Sequence, residues 1–200
     1  MTARLQTDDL PIWFAELCQI KSPRLADLAA STGVRLKVGV LPRQGGVYAF
    51  WWTGGAKQGL NRTWQLTEPR VKGKKKRIPV DLDPRILPID NDRVTPLYVG
   101  QTAGSLLKRV GLHLMLGFEH RVHRPPGRTG IMRPRTSYCQ LRHGIEMLFP
   151  GIQDTRSLLL ENVGVSYVVL DREDNAVNRF FLEVLAIGQL HPPFNIEVAR

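Results

Sequence analysis

The run from Pro96 to His113, PLYVGQTAGSLLKRVGLH, constrains this chain more than any other stretch. Leu97, Tyr98 and Val99 predict a short strand, Gly100 and Gly104 bracket a polar turn, and a helix follows. Ser105 or Thr102 is placed to cap that helix. Arg109 and His113 stand four residues apart, so they share one helical face and reach one ligand. A second strand lies upstream in GGVYAFWW, Gly45 to Trp52, with Tyr48 inside it. Downstream, NRFFLEVLAIGQLHPPFN sets Glu183 alone in an apolar helical run and Asn195 just past a Pro-Pro break.

Asp9 and Pro11 start a helix over PIWFAELCQI, and Ser22-Pro23 starts a second over RLADLAAS, closed by Gly33. RLADLAASTGV looks like the opening of a helix-turn-helix, but RLKVGVLP after it is β-branched and ends in proline. The recognition helix is absent, and a packing hairpin of helices is expected. Leu36–Leu41 and Gly164–Leu170 read as strands, and Ser137–Phe149 as a helix. Asp174 or Asn175 caps a last helix over Ala176–Leu190. This order predicts an α+β fold, with an N-terminal helical segment over 1–34 and a main domain over 35–200. Insertions interrupt that domain at about 53–95 and 117–157.

The formal net charge of +10 selects among partners, because a strongly basic surface favours a polyanion whose phosphates it neutralises. The positive charge is concentrated in both insertions. Arg70, Lys72, Lys74, Lys75, Lys76 and Arg77 crowd one, and Arg121, Arg124, Arg128, Arg133 and Arg135 the other. Each run reads either as a solvated loop or as a grip on nucleic-acid phosphates. The histidines His113, His120, His123 and His143 lack finger or HExxH spacing, which argues against zinc. Cys18 and Cys139 form no metal-ligand spacing and are expected as buried thiols in a reducing compartment. With neither a signal-peptide pattern nor an apolar run near ~20 residues, a cytoplasmic protein away from membranes is expected.

Gly46-Val47-Tyr48, then Tyr98-Val99-Gly100, then Arg109 and His113, then Glu183 and Asn195, resemble in order the motifs of the GIY-YIG nuclease family. The resemblance covers about three strands and two helices. It implies a small antiparallel three-stranded sheet flanked by helices. It departs from the family pattern in the long loop from Trp51 to Leu97 and in one extra residue between Tyr98 and the helix arginine. The second departure leaves Lys108 as an alternative to Arg109, although only Arg109 has His113 four residues on. The long insertions are similar to those of restriction-type members.

The resemblance further implies a DNA phosphodiester hydrolase. Glu183 would hold Mg²⁺ (or Mn²⁺), a role weighed against a plain helix-surface glutamate. Arg109 would clamp the scissile phosphate, and Tyr48, its phenol pKa lowered by nearby charge, would take a proton from water. Tyr98 would orient water or phosphate, His113 would relay a proton or hold Tyr48, and Asn195 would fix the loop beside Glu183. Gly100 would support the second tyrosine strand. The expected partner is double-stranded DNA, and a restriction-type enzyme would act as a homodimer, since one site cuts one strand. A repair or mobile-element nuclease, or a nucleic-acid-binding protein without catalysis, would carry the same scaffold.

Overall fold

The computed structural model describes residues 7–30, 36–54, 63–67, 77–81, 94–114, 140–149, 154–171 and 175–195. The fold is α+β. Helix α1 (Leu10–Leu17) precedes strand β1 (Gly46–Trp52) and a hairpin of β2 (Thr63–Thr67) and β3 (Arg77–Asp81). Strand β4 (Thr95–Thr102) and helices α2 (Leu106–His113), α3 (Gln140–Leu148) and α4 (Thr155–Asn162) follow. Strand β5 (Val163–Val169) and helix α5 (Ala176–Leu190) complete the described residues.

β4, β1 and β5 form an antiparallel sheet in that order, with β1 in the centre and buried along its whole length. A strand sends alternate side chains to opposite faces, and β1 is apolar at every position because both faces are covered. Tyr48, Phe50 and Trp52 enter one core with Leu106 and Val110 of α2, Leu141 and Ile145 of α3, and Leu158 and Leu159 of α4. Val47, Ala49 and Trp51 enter the other, with Leu17 of α1 and Leu182 and Ala186 of α5. Trp51 closes that second core through Nε1, which donates to Ser166 Oγ at 2.7 Å.

β4 carries one irregularity that matters for the site. Phe50 pairs with Tyr98 and Trp51 with Pro96, so Leu97 is an extra residue on β4. Such a bulge resets the in–out alternation, and both Leu97 and Tyr98 accordingly pack toward the α2 side.

Both edges of the sheet are occupied by loop backbone. On β4, Phe194 N donates to Leu97 O at 3.1 Å. The Asn195 side-chain amide then takes both main-chain groups of Val99, Nδ2 to O and N to Oδ1, each at 2.7 Å. On β5, Val165 N donates to Ser22 O at 2.9 Å, and its carbonyl accepts from the amides of Lys21 and Ser22, each at 3.2 Å.

Four expectations are corrected. The helix expected from Pro23 to Gly33 is a single 3-10 turn, Leu25–Leu28, because Ala29 is already extended and bridges to Leu36. The strand expected at Leu36–Leu41 is a turn in which Gly39 takes φ +83°, a conformation few residues but glycine adopt. Cys18 sits just past the end of α1 and is exposed rather than buried. Helix α4, which begins at the end of the second insertion and runs into β5, was not anticipated. Asp154 starts it, accepting from the main-chain amides of Arg156 and Ser157 at 3.1 and 3.0 Å.

Of the basic residues, Arg77 opens β3. Arg70, Lys72, Lys74, Lys75, Lys76, Arg121, Arg124, Arg128, Arg133 and Arg135 lie outside the described residues, as does Cys139. No helix among the described residues is long and apolar enough to cross a membrane.

Candidate active site

Tyr48 lies at the middle of the central strand, fully buried, with Gly100 of β4 directly across from it. A Cβ built on Gly100 would stand 2.6 Å from Tyr48 Oη and 2.9 Å from Tyr98 Cε1. Space therefore requires glycine here: the Tyr48 ring lies over the neighbouring strand where a side chain would otherwise project. Tyr98 flanks the same position, its ring centroid 6.3 Å from that of Tyr48.

Helix α2 brings two more groups to the Tyr48 hydroxyl. Ser105 caps it by accepting from Lys108 N at 3.3 Å, and the amides of Leu106 and Leu107 reach the carbonyls of Gln44 and Pro42 at 2.9 and 3.0 Å. Those bonds satisfy donors that a helix start leaves open and fix the helix against the sheet. One turn further on, Arg109 Nε donates to Tyr48 Oη at 3.2 Å, and His113 Nε2 lies 2.7 Å from the same oxygen. Arg109 thus fills the helix position that spacing alone left open to Lys108, which is exposed.

His113 is 2% exposed and wedged among the rings of Tyr48, Phe50 and Tyr98, with centroids 5.5, 5.4 and 5.2 Å away. Burial, reinforced by the nearby Arg109 charge, lowers its pKa to about 3, so the imidazole is neutral at physiological pH. Burial also pushes the Tyr48 phenol upward, aided by Tyr98 and Glu183 and opposed by Arg109. This reverses the expectation of a lowered phenol pKa, because desolvation of the phenolate outweighs one guanidinium.

Glu183 approaches from the opposite side of the sheet. It is half-buried on α5, and Gln101 Nε2 donates to its Oε2 at 2.8 Å. Val99 and Gln101 are two apart on an edge strand, so their main-chain groups point outward together. The Asn195 amide meets the first, and the second faces the side of the strand on which Glu183 takes the Gln101 side chain. Asn195 therefore ties down the strand on which Gly100 lies, a different anchor from the loop beside Glu183 that was expected. Gln101 was overlooked in the sequence; its signal was its place beside Gly100 on the strand carrying Tyr98.

No protein-family model, curated protein or solved structure matches this chain.

The site has been brought together from five elements: β1 gives Tyr48, β4 gives Tyr98, Gly100 and Gln101, α2 gives Arg109 and His113, α5 gives Glu183, and the segment after α5 gives Asn195. Arg109 and His113 meet the Tyr48 hydroxyl on one side of the sheet, and Glu183 stands with Gln101 on the other. Among the described residues no three His, Cys, Asp or Glu side chains gather, so a closed cage of protein ligands is not formed there. One carboxylate suits a hard ion that keeps most of its waters, as Mg²⁺ does, and poorly suits structural zinc. Burial raises the Glu183 carboxyl against the hydrogen bonds from Gln101 and the charge of Arg109, a cost that a bound cation would relieve.

Proposed function

We propose that this chain is a metal-dependent endonuclease of the GIY-YIG kind that hydrolyses DNA phosphodiester bonds. The observation that supports it best is the Tyr48 hydroxyl set between Arg109 Nε at 3.2 Å and His113 Nε2 at 2.7 Å. A phenol that only packs needs no charged partner; a guanidinium and a neutral imidazole on one buried hydroxyl form a unit for moving a proton beside an anion.

In this reading Arg109 donates to Tyr48 Oη, and Tyr48 gives its one proton to His113 Nε2, which leaves the imidazole's own proton on Nδ1. The attacking water would form the new bond to phosphorus while its proton passes through Tyr48 Oη to His113, whose low proton affinity the negative charge of the bound phosphate would raise. The bond to the leaving oxygen breaks on the far side of the phosphorus, and that oxygen takes a proton from solvent. The high intrinsic pKa of Tyr48 keeps the phenol protonated until the water's proton arrives, so the two transfers are coupled. Arg109 carries the charge that attracts the phosphate, and its planar fork suits that anion better than lysine would. Glu183 would hold Mg²⁺ or Mn²⁺, which when bound stabilises negative charge developing on the phosphate oxygens. The basic insertions supply phosphate contacts along double-stranded DNA, and a restriction-type homodimer is the most specific form of the reading.

Supercoiled plasmid incubated with Mg²⁺ and the wild-type protein, Glu183→Ala or Tyr48→Phe tests it, with mobility shift as a parallel readout. Cleavage by wild type alone, with DNA binding kept in both variants, supports the enzyme. Discrete fragments favour restriction, and nicked circles favour repair. Binding by all three without cleavage on several DNAs makes the chain a nucleic-acid-binding protein that does no chemistry.

A further inference from the structure

Among the described residues, Gln101 is the side chain that hydrogen-bonds Glu183, Nε2 donating to Oε2 at 2.8 Å. The residue is held for this. Its strand is fixed two positions earlier, where the Asn195 amide pairs with both main-chain groups of Val99 at 2.7 Å. On the other strand its cross-strand partner is Val47, buried in the core beneath α5. On the helix side, Leu182 immediately before Glu183 is fully buried in that core, so the helix cannot turn the carboxylate away from β4. Strand and helix are both anchored, and the amide spans the gap between them.

We propose that Gln101 is a positioning residue for divalent-cation binding: it engages Oε2 of Glu183 and turns Oε1 toward the ion. The inference rests on the nuclease reading, since it presumes that Glu183 binds a cation. Its chemical content is a preference. A carboxylate with one oxygen committed to an amide binds through a single oxygen, which suits a small octahedral ion that keeps its waters. Ca²⁺ is larger and draws on bidentate carboxylates. Gln101 thereby favours Mg²⁺ and Mn²⁺ over Ca²⁺ without touching the ion. Partners that orient a metal ligand typically contribute 10–100-fold in metal affinity, and an effect of about that size is expected here.

The test measures Mn²⁺ binding to the full chain by electron paramagnetic resonance, with Ca²⁺ as competitor, in wild type, Gln101→Met and Gln101→Asn. Methionine keeps the volume and removes the donor; asparagine keeps the amide and withdraws it from reach, so two differently behaved side chains guard against a folding artefact. Thermal melting certifies each variant as folded. The expected result is roughly tenfold weaker Mn²⁺ binding in both, with Ca²⁺ competing relatively better than in wild type. Plasmid cleavage should be recovered at raised Mg²⁺, a rescue that a damaged fold would not show. If wild type cuts DNA with Mg²⁺ while folded variants bind Mn²⁺ and Ca²⁺ as it does, the role of Gln101 is overturned and the nuclease stands. If wild type neither binds Mn²⁺ nor cuts, the nuclease reading and this inference fall together.

Discussion

His113 should make this protein acid-sensitive in a way that one substitution removes. The imidazole is 2% exposed and its pKa is lowered to about 3, against an ordinary 6.5, because burial and the Arg109 charge disfavour the cation. Between those two values the unfolded chain binds a proton that the folded chain refuses. Stability therefore rises with pH through that window: the contribution is complete above about 6.5 and is lost progressively as pH falls toward 3. At 1.36 kcal/mol per pKa unit, moving from pH 7 to pH 5 costs about 2 kcal/mol through this residue alone. In a protein of this length that is a shift of roughly 4–8 °C in melting temperature. Urea unfolding of wild type and His113→Phe at the two pH values isolates the effect, because every other titrating group is common to both chains. Phenylalanine fits among Tyr48, Phe50 and Tyr98 but removes the partner of the Tyr48 hydroxyl, a loss of about 1 kcal/mol that does not vary across this range. The reasoning is refuted if the two proteins lose the same stability between pH 7 and pH 5.

Gly100→Ala should destabilise by about 1–3 kcal/mol in chemical denaturation, since its methyl would press on Tyr48 Oη and Tyr98 within a packed layer. Asn195→Ala should cost about 2–4 kcal/mol by the same measurement, because Val99 loses the partners of both its amide and its carbonyl; an unchanged midpoint would mean that water replaces them freely. Arg109→Lys keeps the charge but moves it off the Tyr48 oxygen, and cleavage by the proposed enzyme should fall about a hundredfold with little change in DNA binding. Tyr48→Phe should lower single-turnover cleavage roughly 10²–10⁴-fold while the fold survives, as its ring still fills the core.

The elements that the sequence disclosed are those with enough apolar residues to declare a period. Gly46–Trp52, Gly164–Leu170 and Ala176–Leu190 were each read to within a residue of their observed ends, because burial on both faces of the sheet demands long apolar runs. The grouping of Tyr48, Arg109 and His113 was also legible, since four-residue spacing on α2 is a statement about direction. Leu36–Leu41 misled through composition: its valines are strand formers, but Gly39 and Pro42 break the run before a ladder can form. Leu25–Leu28 has helical spacing but too few residues to carry the cost of nucleation once Ala29 pairs with Leu36. Gln101 could not be found by periodicity at all. Its role comes from α5 crossing β4, a long-range contact that one strand's residues do not encode.

The loops that meet both sheet edges have a consequence for assembly. Leu97 and Val99 on one side and Val165 on the other have given their outward main-chain groups to Phe194, Asn195, Lys21 and Ser22. A visiting strand would find the row of donors and acceptors interrupted at those residues, and such a row is the usual template by which sheets join or aggregate. Two copies of this protein, or a protein bound to it, would find helices and loops the readier surfaces at these points. The strand that carries Gly100 would thus keep its geometry whether the protein acts alone or in company.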